Sequence, residues 1–320
     1  MKASGSYFVL AIVAVCSASL AAQAPGPVFR STANLVALNV TVQDPAARDK
    51  FISGLRSADF AVYEDGVRQD VRFFQSDAVP IDLIVLLDTS ASMGDKIGLV
   101  REAANGFLHT LRPGDRGAVV AFSDTVRVVQ PLTSDRALLT HAVGAITAEG
   151  RTALNNAVYI ALKAFGRPAD TQGDIRRQAI VVLSDGDDTA SLVSFDDVLA
   201  VARRMGVNIY TVGLQSPFAI QQTVSETGHR YFGQGDYALK TLANETGARA
   251  FFPGINELKG VYASIARELS TQYSIGYVPS NPRLDGRFHR VSVEVVTRPE
   301  LRPRTRLGYT ADAIATTSEY

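Results

Sequence analysis

Cysteine is almost missing from this chain: Cys16 is the only one among 320 residues. A disulfide-stapled scaffold and a cysteine-built zinc site are therefore both excluded. Histidine is nearly as scarce, with His109, His141, His229 and His289 alone, and no two stand at zinc-ligand spacing. An excess of either charge is lacking too. The 32 basic residues are matched by 32 acidic ones, which removes bulk attraction to nucleic acid as a mode of action. The longest apolar run near the start, residues 7–15, is too short to span a bilayer. Lys2 precedes it, small residues follow at 17–22, and Ser19-Leu20-Ala21 fits a small-x-small cleavage signal. Residues 1–21 therefore read as a cleaved export leader. Its removal takes away Lys2 and Cys16, leaving 31 basic against 32 acidic residues and no cysteine. Val15 before Cys16 argues against a lipid anchor. The expectation is an exported protein, periplasmic, cell-surface or secreted, with no transmembrane segment in its mature form.

Catalytic signatures are equally thin. There is no G-x-x-x-x-G-K-[ST] phosphate loop and no G-x-S-x-G elbow. Ser90 and Ser92 lack the lysine of an S-x-x-K pair, because Met93 and Asp95 occupy those places. The strand ending Leu86-Leu87-Asp88 resembles the start of a haloacid-dehalogenase-type phosphatase, which would imply a metal-dependent phosphoesterase with Asp88 as nucleophile. That resemblance calls for a second aspartate two positions on, where Ser90 stands.

What is present is concentrated at residues 81–92, Ile-Asp-Leu-Ile-Val-Leu-Leu-Asp-Thr-Ser-Ala-Ser. The unbroken apolar run 83–87 predicts a strand covered on both faces of a parallel sheet. It ends in Asp88, Thr89, Ser90 and Ser92, and a helical pattern follows through Ile97, Val100, Ala104, Phe107, Leu108 and Leu111. Asp88 is thus expected at the carboxyl end of a central strand, where open α/β sheets hold ligands. A carboxylate and hydroxyls on one tight loop suit a hard cation.

At these residues the chain resembles the von Willebrand factor type A domains that carry a metal-ion-dependent adhesion site. Asp88-x-Ser90-x-Ser92 matches the first segment of that site. Thr152, in Gly150-Arg151-Thr152-Ala153-Leu154, stands where a second loop must supply a threonine. Asp185, closing the apolar run Val181-Val182-Leu183-Ser184, stands where a third must supply an aspartate. The resemblance implies a doubly wound, mostly parallel α/β sheet with helices on both faces. It also implies a non-enzymatic site in which Asp88, Ser90, Ser92, Thr152 and Asp185 hold Mg²⁺, or Mn²⁺ or Ca²⁺ in its place, and leave one position for a protein partner's Asp or Glu carboxylate. A structural envelope protein with a fold-stabilising metal is the other non-catalytic reading. Asp187 and Asp188 read as a solvated turn, and 185–188 lacks the pattern of an EF-hand loop.

Either side of this core the period changes. Residues 35–43 alternate apolar and polar, and Asp65-Gly66 between alternating stretches predicts a hairpin. Alternation returns at Tyr273, Ile275 and Tyr277 and again at Val291, Val293 and Val295, with a further strand expected within 302–308. The expected order is a leader (1–21), a lead-in (22–28), a β module begun at 29–79 and completed at 272–310 around an α/β domain (80–271), and a tail (311–320). This order, with Gln272-Tyr273-Ser274-Ile275-Gly276-Tyr277-Val278-Pro279 after a final helix, resembles the bacterial secreted proteins described as von Willebrand factor type A-related, first noted in acidobacteria. Residues 214–235 read as a long irregular loop. The arginine-rich end (Arg283, Arg287, Arg290, Arg298, Arg302, Arg304, Arg306) reads as the solvated face of a sheet.

Overall fold

The computed structural model describes residues 35–47, 50–76, 79–165, 176–185, 187–214, 233–281 and 285–311. The expected leader and lead-in, most of the loop 214–235, Arg283 and nearly all of the tail lie outside these residues.

The centre is a six-stranded sheet in the order β10-β9-β8-β5-β6-β7. Its strands are β5 (Ile81–Asp88), β6 (Arg116–Phe122), β7 (Val126–Thr133), β8 (Arg177–Ser184), β9 (Asn208–Gly213) and β10 (Ala250–Phe251). All neighbours pair in parallel except the edge strand β7, which runs antiparallel to β6. Every residue of β5 is buried. The cause is its period of two: Leu83, Val85 and Leu87 enter one apolar cluster while Ile84 and Leu86 enter another. Three helices, α1 (Ile97–Leu108), α2 (Arg136–Gly144) and α6 (Leu258–Thr271), contribute to the first cluster. Three others, α3 (Leu154–Ala164), α4 (Phe195–Met205) and α5 (Gln234–Glu245), contribute to the second. Burying one such leucine contributes about 2 kcal/mol, whereas burying a carboxylate is costly unless its oxygens are satisfied. Asp88 at the end of this row is therefore a residue that stability alone does not explain.

Local signals agree with the elements. The Asp135 carboxylate accepts from the Ala137 and Leu138 N–H groups to cap α2, and Ser194 accepts from Asp197 N to cap α4. Gly206 closes α4 at φ +68°, a conformation glycine adopts without penalty. Phe107 of α1 stacks on Tyr262 of α6 with ring centroids 4.8 Å apart. No helix among the described residues is long and apolar enough to cross a membrane.

Strands from both ends of the chain pair with one another. β1 (Val36–Gln43) lies between β11 (Tyr273–Tyr277) and β13 (Arg302–Arg304), with β4 (Val71–Gln75) beyond β11. β12 (Phe288–Val295) lies between β2 (Phe60–Glu64) and β14 (Gly308–Thr310), with β3 (Val67–Gln69) beyond β2. The result is two antiparallel sheets sharing one apolar cluster, in which Phe60, Phe74 and Tyr273 meet at 5.1–6.0 Å. The expected strand at 302–308 is two strands, one in each sheet. Between them Thr305 and Arg306 are buried. The arginine-rich end is thus not uniformly a solvated face: Arg306 is interior beside Tyr309, and Arg304 pairs with buried Glu268.

The predicted hairpin turn is present, with Asp65 and Gly66 at φ +48° and +81°. Its Asp65 carboxylate meets the buried His289 Nδ1 at 2.8 Å, and Asp285 lies 3.4 Å from Nε2. Burial opposes a charge on His289, but the bonds to Asp65 and Asp285 and the nearby Glu64 outweigh it and raise the imidazole above its usual range. A raised folded-state value means the native protein holds a proton that the unfolded chain releases near pH 6.5. The clamp therefore contributes fully below that pH and fades as pH rises through the folded value, by at most about 1.4 kcal/mol per pH unit. Urea unfolding at pH 5.5 and 8.5 should show this loss in the wild type and a smaller one in His289→Gln. Equal pH dependence in both would remove His289 as its source.

Candidate metal centre

Three loops converge at the carboxyl edge of the sheet. The first leaves β5 at Asp88 and turns through a short 3₁₀ segment, Ala91–Met93, before α1. The second carries Gly150, Arg151 and Thr152 ahead of α3. The third leaves β8 at Ser184 and Asp185. Asp88 sits between parallel partners β6 and β8, and it is fully buried. Its Oδ1 accepts from the Ser90 N–H at 2.8 Å, which holds the turn, and its Oδ2 accepts from the Ser184 hydroxyl at 2.5 Å. From there a chain of oxygens runs outward. The Ser90 and Ser92 hydroxyls are 3.1 Å apart, and Ser92 donates to Asp185 Oδ1 at 2.8 Å. Four of the five residues singled out from sequence, Asp88, Ser90, Ser92 and Asp185, thus lie on two adjoining loops joined by short hydrogen bonds.

Thr152 is brought alongside through backbone. Ala91 N donates to Gly150 O at 3.0 Å, and Glu149 N to Thr89 O at 2.6 Å. The Thr152 carbonyl accepts from Thr189 N (2.9 Å) and Ala190 N (3.0 Å), and its N–H donates to Thr189 Oγ1 at 3.2 Å. Its hydroxyl makes no hydrogen bond among the described residues. Thr152 stays on the loop ahead of the helix, since α3 begins at Leu154 with Ala153 at its cap. Gly150 makes the turn possible. It has φ +81°, and a Cβ there would stand 2.8 Å from an Asp124 carboxylate oxygen, whose partner oxygen accepts from Arg151 N at 2.9 Å.

Electrostatically the site is short of positive charge. Burial raises the Asp88 carboxyl above its usual range, hydrogen bonds from Ser184 and Ser90 oppose this, and the Asp185 carboxylate adds to it. Two carboxylates and three hydroxyls, all hard oxygen donors and several of them desolvated, fit a small divalent cation and not a soft metal.

Residues 82–253 match the model of the von Willebrand factor type A domain, more than half of the chain. The chain belongs to the von Willebrand factor type A domain family. Among curated relatives, an uncharacterized protein of Borreliella burgdorferi is 28% identical over 145 residues, covering 42% of this chain and 41% of that protein. A UPF0353 protein of Mycolicibacterium paratuberculosis is 25% identical over 239 residues, 68% of this chain and 70% of that one. Among solved structures, proximal thread matrix protein 1 from the mussel byssus, in a form with a zinc-occupied MIDAS motif, aligns with a TM-score of 0.50 at 17% identity. That alignment covers 66% of this chain and 50% of that one.

The type A domain edge also holds residues that sequence reading passed over. Ser184 fixes Asp88, and no spacing rule flags a serine one position before Asp185. Asp188 is not a solvated turn residue: its Oδ2 accepts from Asn155 N at 2.7 Å and its Oδ1 from Ser191 N at 2.9 Å, tying the third loop to the start of α3. Asp187 accepts from Gly235 N at 2.7 Å and so anchors the start of α5. Lys96 reaches Asp185 Oδ2 with its ammonium. Apart from the local Asp188–Ser191 bond, each link spans more than thirty residues, which no local pattern encodes.

Proposed function

We propose that the protein is an exported, non-enzymatic binding protein whose type A domain holds a divalent cation at Asp88, Ser90, Ser92, Thr152 and Asp185. The cation's remaining position takes an Asp or Glu carboxylate from a protein partner. The observation that carries this reading is the hydrogen-bonded run Asp88–Ser90–Ser92–Asp185, joined through the Ser90 N–H and the two serine hydroxyls, with Thr152 on the neighbouring loop, at the carboxyl edge of the central strand. Mg²⁺ would supply a poorly neutralised positive charge, which makes a carboxylate contact strong. Asp88 and Ser184 would orient the inner hydroxyls, and no nucleophile or general base is needed. The rim suits a partner. Leu192 on the third loop is 95% exposed and Tyr237 in the first turn of α5 is 67% exposed, a placement that favours an interface over a core. Export rests on the leader read from residues 1–21.

Calorimetric titration of Mg²⁺, Mn²⁺ and Zn²⁺ into EDTA-stripped protein lacking residues 1–21 tests the proposal. One saturable site is expected, tightened when acetate or a glutamate-containing peptide is present. Absence of binding with and without acetate would overturn it. Zinc is included because a solved structure of similar fold carries it at this motif.

A further inference from the structure

We propose that Lys96 is a resident counter-cation of the metal site, holding Asp185 while no metal is bound and keeping affinity for a bare divalent ion low until an anionic ligand arrives. This rests on the metal-dependent reading above and names how that site is regulated. The contact itself is specific. Asp185 Oδ2 accepts from Lys96 Nζ while Oδ1 accepts from Ser92 Oγ, so both carboxylate oxygens are occupied. The two side chains are 14% and 2% exposed, which removes this pair from the class of surface ion pairs that contribute little. The lysine is also fixed at its base. Its N–H donates to Met93 O at 3.0 Å and its carbonyl accepts from Val100 N at 3.0 Å, where the turn after Ser92 joins α1.

Charge gives the consequence. Asp88 and Asp185 bring two negative charges, and Lys96 returns one positive charge to a partly desolvated site. A divalent ion held by Asp185 would meet a net charge of minus one from these three groups, and it would share that carboxylate with the ammonium, so the two cations would repel each other across a partly desolvated site. The occupied site is then left with an excess positive charge. A carboxylate from outside removes that excess, so metal and carboxylate should bind with positive coupling, and by linkage each strengthens the other. Without the ammonium, two aspartates would neutralise a divalent ion unaided. Metal would then bind well alone and gain less from the carboxylate. Lys96 therefore acts on Asp185 and through it on the ion, as a residue that sets selectivity for an anionic ligand.

The test is calorimetric titration of Mn²⁺ into the wild type, Lys96→Gln, Lys96→Met and Lys96→Arg, each with and without acetate, and thermal unfolding of the same four in EDTA. The Gln and Met variants should bind Mn²⁺ about tenfold more tightly than the wild type without acetate. They should gain less from acetate and unfold at lower temperature in EDTA, because Asp185 loses its partner. Lys96→Arg keeps the charge and should follow the wild type. Equal or weaker Mn²⁺ binding in both uncharged variants would overturn the inference while leaving the metal site standing. No Mn²⁺ binding in any of the four, with or without acetate, would overturn the metal site and the inference together.

Discussion

Asp88→Asn should weaken Mg²⁺ or Mn²⁺ binding by about 100-fold, close to 2.7 kcal/mol, and leave the metal-free protein at least as stable as the wild type. The two effects have opposite signs for one reason. Asp88 is fully buried with a carboxylate that burial disfavours, so the fold bears a cost for its charge. Asparagine keeps an oxygen for the Ser90 N–H and can pair with the Ser184 hydroxyl, so the turn survives. What it removes is the negative charge at the base of the site. Residues that are costly to the fold and valuable to a site are where stability and activity trade against each other. The same titration on Thr152→Ala should lose affinity without any gain in stability, since the Thr152 backbone makes the bonds that hold its loop. Calorimetry and thermal unfolding in EDTA read the two quantities separately. A metal affinity for Asp88→Asn within threefold of the wild type would sink the assignment.

The parts of this protein visible in its sequence are those whose information is local. The run 83–87 names its strand because five consecutive apolar residues can be buried only between two covered faces, and the structure buries all of β5. Asp65-Gly66 names its turn because both residues take positive φ. The oxygen-rich loop after β5 was legible because a motif on one tight turn keeps its spacing. What was not legible depends on pairing across distance. Asp188 reads as one more exposed acid until Asn155 is placed beside it, and Lys96 reads as the start of a helix until Asp185 comes within reach. Arg306 has the composition of a surface residue, and only the division of 302–310 into strands of two different sheets turns it inward. Alternation predicts that a strand has two faces without stating which sheet it joins.

The largest stability effect is expected far from the metal edge, at Glu268. This α6 carboxylate is fully buried. Its Oε1 accepts from Tyr210 of β9 at 2.7 Å, from Thr41 of β1 at 3.4 Å and from Arg304 of β13, while Arg249 approaches Oε2 at 3.9 Å. One side chain thus joins the parallel sheet to strands from both ends of the chain. Gln272 completes the group by donating to Tyr210 Oη at 3.1 Å and to Thr41 Oγ1 at 3.4 Å. Burial and the adjacent Glu268 hold the Tyr210 hydroxyl protonated far beyond the usual range, so it serves as a fixed donor. Glu268→Ala leaves that hydroxyl and two guanidinium groups facing a cavity. Removing one partner of a buried charged group costs about 3–5 kcal/mol, and because both arginines retain some exposure the lower end applies, about 3 kcal/mol. Glu268→Gln keeps an acceptor for Tyr210 and should cost less than Glu268→Ala. Urea unfolding followed by circular dichroism gives both values, and the Glu268→Ala, Arg304→Ala cycle isolates the pair. A loss below 1 kcal/mol for Glu268→Ala would mean that the strands from the two ends hold to the central sheet by their apolar cores alone, with the buried carboxylate a passenger.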